Sequence, residues 1–227
     1  MAIANNFNNL KDMNIYQSFI DINIYDSPNF TALATQMAGG RYLKILQPEY
    51  LQVQLLEDGY IGFIRNLFKF RPVESRYQPV ELSEAEIQAQ IPKAIAYVEN
   101  AMTMKNEYLW GGTVPPNFDC SGLMQAAFQS VGIWIPRDAY QQEGFTSPIA
   151  QTELQAGDLV FFGTGEKANH VGMYLGGDRY IHSSGKEKGN NGIGINLLKS
   201  ENEVSLNYAR ELRGFGRVTR CFIPQLS

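Results

Sequence analysis

The rhythm of apolar and polar positions changes once along the chain, near residue 80. Before that point apolar residues alternate over short runs: Tyr16-Gln-Ser-Phe-Ile-Asp-Ile-Asn-Ile-Tyr25, Arg41-Tyr-Leu-Lys-Ile-Leu46, Tyr50-Leu-Gln-Val-Gln-Leu55 and Tyr60-Ile-Gly-Phe-Ile64. A period of two marks half-buried strands, and Asp26-Ser27-Pro28, Gly39-Gly40 and Asp58-Gly59 supply the turns between them. Short strands at this spacing predict a small antiparallel barrel. The polar stretch from Lys69 to Val80 carries Pro72 and Pro79, which disfavour continuation of strand or helix, and it is read as the linker.

Beyond the linker the period lengthens. Ser83-Glu-Ala-Glu86 has the form of a capping box and opens a helix whose stripe is Ile87, Ile91, Ala94, Ile95 and Val98, with a kink or break expected at Pro92. Asp119 can cap a second helix from Cys120, with Leu123, Ala127 and Val131 on one stripe until Gly132 stops it. Strand-like runs follow at Leu159-Val-Phe-Phe162, His170–Leu175 and Arg179–Ser183, the last two separated by Gly176-Gly177-Asp178. The pattern predicts an α+β chain: a strand domain with its linker over 1–78, and a domain of helices and antiparallel sheet over 79–227.

Cysteine and histidine are scarce enough to narrow the chemistry. Only two histidines occur, His170 and His182, both downstream of Cys120. A thiol nucleophile needs an imidazole to take its proton, and that imidazole needs a polar partner to set its tautomer. Cys120 lies in the first turn of a capped helix, where free amides and the helix dipole favour a thiolate and could hold an oxyanion. A buried cysteine packing as a small hydrophobe is the bland alternative. If Gly176-Gly177-Asp178 forms the loop and Leu175 pairs with Arg179, Gly172 faces His182 and both imidazoles leave one face of the hairpin, with their backbones about 7–8 Å apart. A two-residue loop is expected to separate them. A zinc site of Cys120, His170 and His182 is the competing reading, but the ligand spacing lacks the paired motifs and a fourth ligand is not evident.

In order, Tyr108-Leu-Trp110-Gly111-Gly112, Asp119-Cys120-Ser121-Gly122-Leu123, Ile135-Pro136-Arg137-Asp138-Ala-Tyr140-Gln141, Leu154-Gln-Ala-Gly157-Asp158-Leu159, Asn169-His170-Val171-Gly172-Met173-Tyr174 and Tyr180-Ile181-His182 resemble the motifs of the NlpC/P60 cysteine peptidases. The resemblance covers residues 84–227. It implies a papain-like α+β domain with Cys120 as nucleophile, His170 as base, His182 as the orienting residue, and Tyr108 near the substrate and oxyanion site. Val53-x-Leu-x-x-Asp58-Gly59-Tyr60-x-Gly62-Phe63-Ile64 resembles the end of bacterial SH3-type domains, which commonly precede NlpC/P60 domains. This two-domain form resembles γ-D-glutamyl-L-diamino acid endopeptidases. The resemblance implies murein peptides with a free N-terminal L-Ala as substrate, Asp119 and Ser121 binding its ammonium, and a contribution from Tyr60 on the barrel. An amidase or acyltransferase of the same fold, or a catalytically silent wall-fragment binder, are the alternatives.

Of the remaining conspicuous groups, Trp110 reads as core, Gly157-Asp158 as a turn, and Arg137-Asp138 as either a surface ion pair or a wall of the cleft. The chain of 227 residues is 44% hydrophobic and 12% aromatic, ordinary for a globular protein, with a net charge of −4 and no basic run. A nucleic-acid or anionic-membrane partner therefore gains no support. No nucleotide glycine loop occurs, and neither cofactor nor metal is expected. The start, Met-Ala-Ile-Ala-Asn-Asn-Phe, lacks a basic region and a ~7–15-residue apolar stretch, so a cytoplasmic protein is expected, acting as a monomer on small wall peptides with Cys120 and Cys221 reduced.

Overall fold

The computed structural model describes residues 15–73, 77–199 and 203–226. These divide into two compact units, one running to Pro79 and including residues 224–226, the other Val80–Ile223.

The first unit is a seven-stranded antiparallel sheet in the order β3-β2-β6-β5-β4-β1-β7. Its strands are β1 (Ile15–Ser18), β2 (Ile22–Tyr25), β3 (Leu33–Met37), β4 (Tyr42–Gln47), β5 (Gln52–Leu55), β6 (Ile61–Phe63) and β7 (Phe70–Pro72). The alternating run from Tyr16 to Tyr25 is therefore two strands. Phe70–Pro72, placed in the linker by sequence, pairs with β1 instead. Proline is tolerated there because β7 is an edge strand that needs no further donor. Tyr16, Ile24, Met37, Leu43, Val53, Leu55 and Ile64 make the core. Tyr60 is half-buried and packs against that core.

One charged group sits inside this unit. Arg41, 4% exposed, donates from Nε to Glu57 (3.2 Å) and from Nη2 to Asp58 (2.8 Å), while Glu57 also accepts the Tyr42 amide at 2.7 Å.

The second unit stacks helices on a six-stranded antiparallel sheet ordered β10-β15-β11-β12-β13-β14. Its strands are β10 (Ser147–Ile149), β11 (Leu159–Phe162), β12 (His170–Gly176), β13 (Arg179–Ser184), β14 (Gly192–Leu197) and β15 (Leu212–Arg217); a small ribbon, β8 (Thr113–Val114) with β9 (Asn117–Phe118), leads into the second helix. The helices are α1 (Glu84–Thr103), α2 (Cys120–Gln129), α3 (Ala139–Phe145) and α4 (Glu203–Arg210). Ser83 and Glu86 form the capping box of α1. The helix runs on through Pro92, where a kink or break was expected. Pro92 faces solvent, which can hydrate the carbonyl it leaves unpaired, while Ile91 and Ala94 beside it hold the helix to the core.

Every residue of β11 is buried, and the run serves two cores. Leu159 and Phe161 meet Ile87, Leu123, Ala127, Val171 and Ile181 on the helical side; Val160 and Phe162 meet Tyr180, Leu198 and Tyr208 on the other. Strand alternation then places His170 and His182 on the face of Phe162 and Tyr180, since Val171 and Ile181 point to the helices.

Replacing Arg41 with methionine strands two buried carboxylates, and the expected loss is about 3–5 kcal/mol of unfolding free energy by urea denaturation. A loss under 1 kcal/mol is the result that contradicts this.

Candidate active site

The nucleophile end of α2 is organised by a single carboxylate. Asp119 Oδ1 accepts the Gly122 amide at 2.6 Å and caps the helix, while Oδ2 accepts the Gly111 amide at 2.9 Å and holds the preceding loop. Arg137, 2% exposed, closes the remaining positions with Nη1 on Oδ1 (3.1 Å) and Nη2 on Oδ2 (2.6 Å), and Nη1 also reaches Ser121 Oγ at 2.9 Å. Gln142 Nε2 donates to the carbonyls of Ser121 (3.0 Å) and Pro136 (2.9 Å). Gly122 is required by contact: a Cβ there falls 2.0 Å from the Gly112 carbonyl oxygen. Arg137 thus pairs with Asp119 in the interior. Trp110, read from sequence as core, is 74% exposed, because Gly112 N–H bonds back to the Leu109 carbonyl at 2.9 Å in a tight turn that turns the indole outward.

The histidines come from the adjacent hairpin. Met173 pairs with Ile181 and Tyr174 with Tyr180, then the register shifts and Gly176 pairs with Arg179. The loop is therefore two residues with a bulge at Leu175. The extra residue preserves the pairing sum beyond it, so the imidazoles stay on one face. A Cβ at Gly172 comes within 3.2 Å of His182 Cβ and 3.0 Å of the Tyr180 ring, so glycine makes the room.

The rings form a hydrogen-bonded chain. His170 Nε2 lies 2.7 Å from His182 Nδ1, and His182 Nε2 lies 2.8 Å from Asn196 Oδ1. Asn196, on β14, donates through Nδ2 to Ser205 Oγ (3.2 Å) and its Oδ1 also accepts Asn190 Nδ2 (3.0 Å), which orients the amide. Asn190 Nδ2 also lies 3.2 Å from His182 Nε2, but the shorter contact, 2.8 Å, is to Asn196 Oδ1, which can only accept, and it favours the His182 tautomer with its proton on Nε2 and with Nδ1 accepting from His170 Nε2. His170 is then left with a bare Nδ1, the atom that can take a thiol proton.

Burial sets the resting charges. It pushes the Cys120 thiol up to about 12, aided by the Asp119 charge and opposed by the backbone N–H groups of Val171 and Ser121 and by Arg137. The helix-end amides favour a thiolate, as the sequence implies, but desolvation is the larger effect on the thiol. Burial, with His182 and Lys188, holds the His170 imidazole well below its usual 6.5, and burial takes His182 down to about 4. Both directions favour a neutral thiol and neutral imidazoles in the resting site. Tyr108, bridged to Phe118, is raised above the usual tyrosine value by burial, then by Cys120 and Asp119, so its hydroxyl stays a donor beside the thiol. Together these groups can deprotonate a thiol at an attacked carbonyl and return the proton to a leaving group.

Asp119, Cys120, Ser121, Tyr108, His170 and His182 are all in the second unit; Tyr60 is in the first. Asn196, Gln142 and Tyr208 have no signal in the sequence as members of the site, whereas Arg137 was one of two alternatives there, a surface ion pair or a wall of the cleft. Asn196 lies across from Tyr180, diagonal to His182, a placement that depends on the β13–β14 register and has no local signature. Among the described residues no group of three or more His, Cys, Asp or Glu could hold a metal, and no helix is long and apolar enough to cross a membrane.

Residues 105–204 match the NlpC/P60 family and residues 24–66 match the bacterial dipeptidyl-peptidase Sh3 domain. The chain carries an NlpC/P60 domain preceded by a bacterial SH3-type domain. It is 32% identical over 191 residues to the bifunctional muramidase/DL-endopeptidase CwlT of Bacillus subtilis, covering 79% of this chain and 53% of that protein. It is 38% identical over 111 residues to the probable endopeptidase p60 of Listeria seeligeri, covering 49% of this chain and 19% of that protein. The chain thus spans about half the length of the first and a fifth of the second. An NLP/P60 family lipoprotein structure from Staphylococcus aureus aligns at TM-score 0.44 and 32% identity, over 63% of this chain and 45% of that one.

A resting thiol predicts the sign of its reactivity with pH. In a Cys221→Ser background, iodoacetamide modification of Cys120 is expected to be slow at pH 6 and to rise about tenfold per pH unit up to pH 9, as the thiolate fraction grows. A rate already at its plateau by pH 7 requires an ion pair instead.

Proposed function

We propose that this protein is a cysteine endopeptidase of cell-wall peptides that hydrolyses the bond between γ-D-Glu and an L-diamino acid. The observation that carries the reading is the polarised chain Asn196–His182–His170 ending in a bare Nδ1 on the strand whose Val171 amide faces the Cys120 thiol. In this mechanism Cys120 attacks the γ-carbonyl as His170 Nδ1 takes its proton. The amides at the start of α2 and the Tyr108 hydroxyl receive the oxyanion. His170 then protonates the leaving amine, and water, deprotonated by His170, cleaves the thioester. The imidazolium is formed only when needed, because the dry site disfavours it at rest.

Relatives named as endopeptidases support the class, and the SH3-type domain supports the finer specificity. The same proposal includes preference for a free N-terminal L-Ala, with Asp119 and Ser121 at its ammonium. Since Arg137 already offsets the Asp119 charge, that ammonium must share the carboxylate. Intact wall peptides carry no free N-terminus there, so the substrates in this reading are released fragments, recycled in the cytoplasm.

The deciding experiment incubates L-Ala-γ-D-Glu-meso-diaminopimelate, free and N-acetylated, with wild type and Cys120→Ala, and analyses products by mass spectrometry. Release of L-Ala-D-Glu from the free peptide by wild type alone is expected. Equal cleavage of both peptides removes the free-amine preference, and cleavage by Cys120→Ala removes the nucleophile. For wild type, kcat/KM is expected to stay level from pH 7 to 9 and to fall only below pH 6.5, because neutral His170 is the active form and its imidazole titrates below that value.

A further inference from the structure

The last helix of the second unit points one side at the histidine chain. Ser205 and Tyr208, three residues apart and therefore on one face of α4, are its buried residues. Ser205 Oγ receives Asn196 Nδ2 at 3.2 Å and the Leu197 amide at 3.3 Å. Tyr208 goes to the base itself. Its ring stacks on the His170 imidazole at 4.6 Å between centroids and 28° between planes, and meets His182 edge-on at 4.8 Å.

Nothing about the tyrosine is loose. It is 2% exposed, its hydroxyl donates to Ser184 Oγ at 3.0 Å, and Phe162 packs against it at 5.3 Å. The hydroxyl is thus anchored to β13, two residues beyond His182, while the ring covers a face of His170. Hydrogen bonding to His182 fixes one atom of the His170 ring but leaves rotation about that bond open; a flat aromatic surface removes that freedom. The stretch that matches the NlpC/P60 family ends at residue 204, so Tyr208 lies beyond the residues by which this domain is matched.

We propose that Tyr208 is a positioning residue for the general base, its ring holding the plane of the His170 imidazole and shutting water from that face. This rests on His170 being the base of the proposed peptidase. The titratable groups acting on His170 or on the ring that covers it include His182, hydrogen-bonded to His170; Cys120 and Glu211, which act electrostatically on Tyr208; Tyr108 and Tyr180, which interact with Tyr208; and Lys188, 5.7 Å from the Tyr208 ring centre and tied to Glu211 at 2.8 Å. None of these replaces a lost ring. Removing the ring admits water, and since burial is the first cause of the low imidazole value, the His170 titration moves up.

The chain has two histidines, so imidazole NMR of the resting protein resolves both, with His182→Gln assigning the signals. Tyr208→Phe keeps the ring and is expected to leave the His170 titration and kcat within about twofold of wild type. Tyr208→Met fills the space without a flat face; the His170 midpoint is expected to rise by about one pH unit and kcat to fall about tenfold at little changed KM. An unshifted His170 in a folded Met variant overturns the proposal, as does a Phe variant as impaired as Met, which moves the role to the hydroxyl. The Phe arm decides even if the Met variant does not fold. Because the titration is read without substrate, a wild type that cleaves no murein peptide counts against the proposed function and leaves this inference to be judged separately.

Discussion

The surroundings of the Cys120 thiol turn on the carboxylate of Asp119. It accepts from the amide that starts α2, from the amide of the loop before it, and from both terminal nitrogens of a buried arginine. A charge taken out of water at this depth costs several kcal/mol unless it is matched, and Arg137 matches it in bidentate form. The pair welds three pieces of chain that are far apart in sequence: the Trp110-Gly111 turn, the helix that presents Cys120, and the segment before α3. The position of the thiol is inherited from that junction, and so is the exposure of Trp110, which sits on a turn that cannot relax inward while Gly111 is held.

The opposite wall of the site is made by strand alternation. A bulge at Leu175 keeps two histidines on one face of the hairpin, and a glycine lets the rings approach. The next strand adds an amide that decides which nitrogen of each ring carries the proton. Sheet geometry thereby does the work of tautomer selection: the choice between two nearly equal imidazole forms is handed to Asn196, whose own orientation is held by Ser205 and Asn190. Both walls are low-dielectric, and their shared consequence is a resting site with the proton still on sulfur.

Local signals made much of this readable in the sequence. Periodicity and caps placed α1 and α2 to within a few residues, because a capping box and an Asp before a helix are near-neighbour effects. The strands from Tyr42 to Phe63 were legible from alternation, but β3 and β7 were not: Leu33–Met37 turns the polar Thr35 to its buried face beside Met37, which blurs the apolar alternation, and Phe70–Pro72 looks like a linker until its pairing with β1 is known. At the site, Cys120 and the histidines stood out through rarity and spacing. Asn196 and Tyr208 did not, since each acquires its meaning from a partner at least fourteen residues away, and Arg137 stood only as one of two alternatives until Asp119 appeared beside it. The charge state of Cys120 was not legible for the same reason; a helix start, which favours a thiolate, is visible in sequence, whereas the depth of burial that opposes it is a property of the whole fold.

That depth has a consequence for the lifetime of the protein. Peroxide and disulfide exchange act on thiolates, and their attack slows as the sulfur holds its proton. A cysteine at 6% exposure, whose thiol burial favours over its thiolate, is shielded from the oxidants that consume an exposed, ionised sulfur. The same hydrophobic packing that makes the proton harder to remove is therefore a form of storage for reduced sulfur.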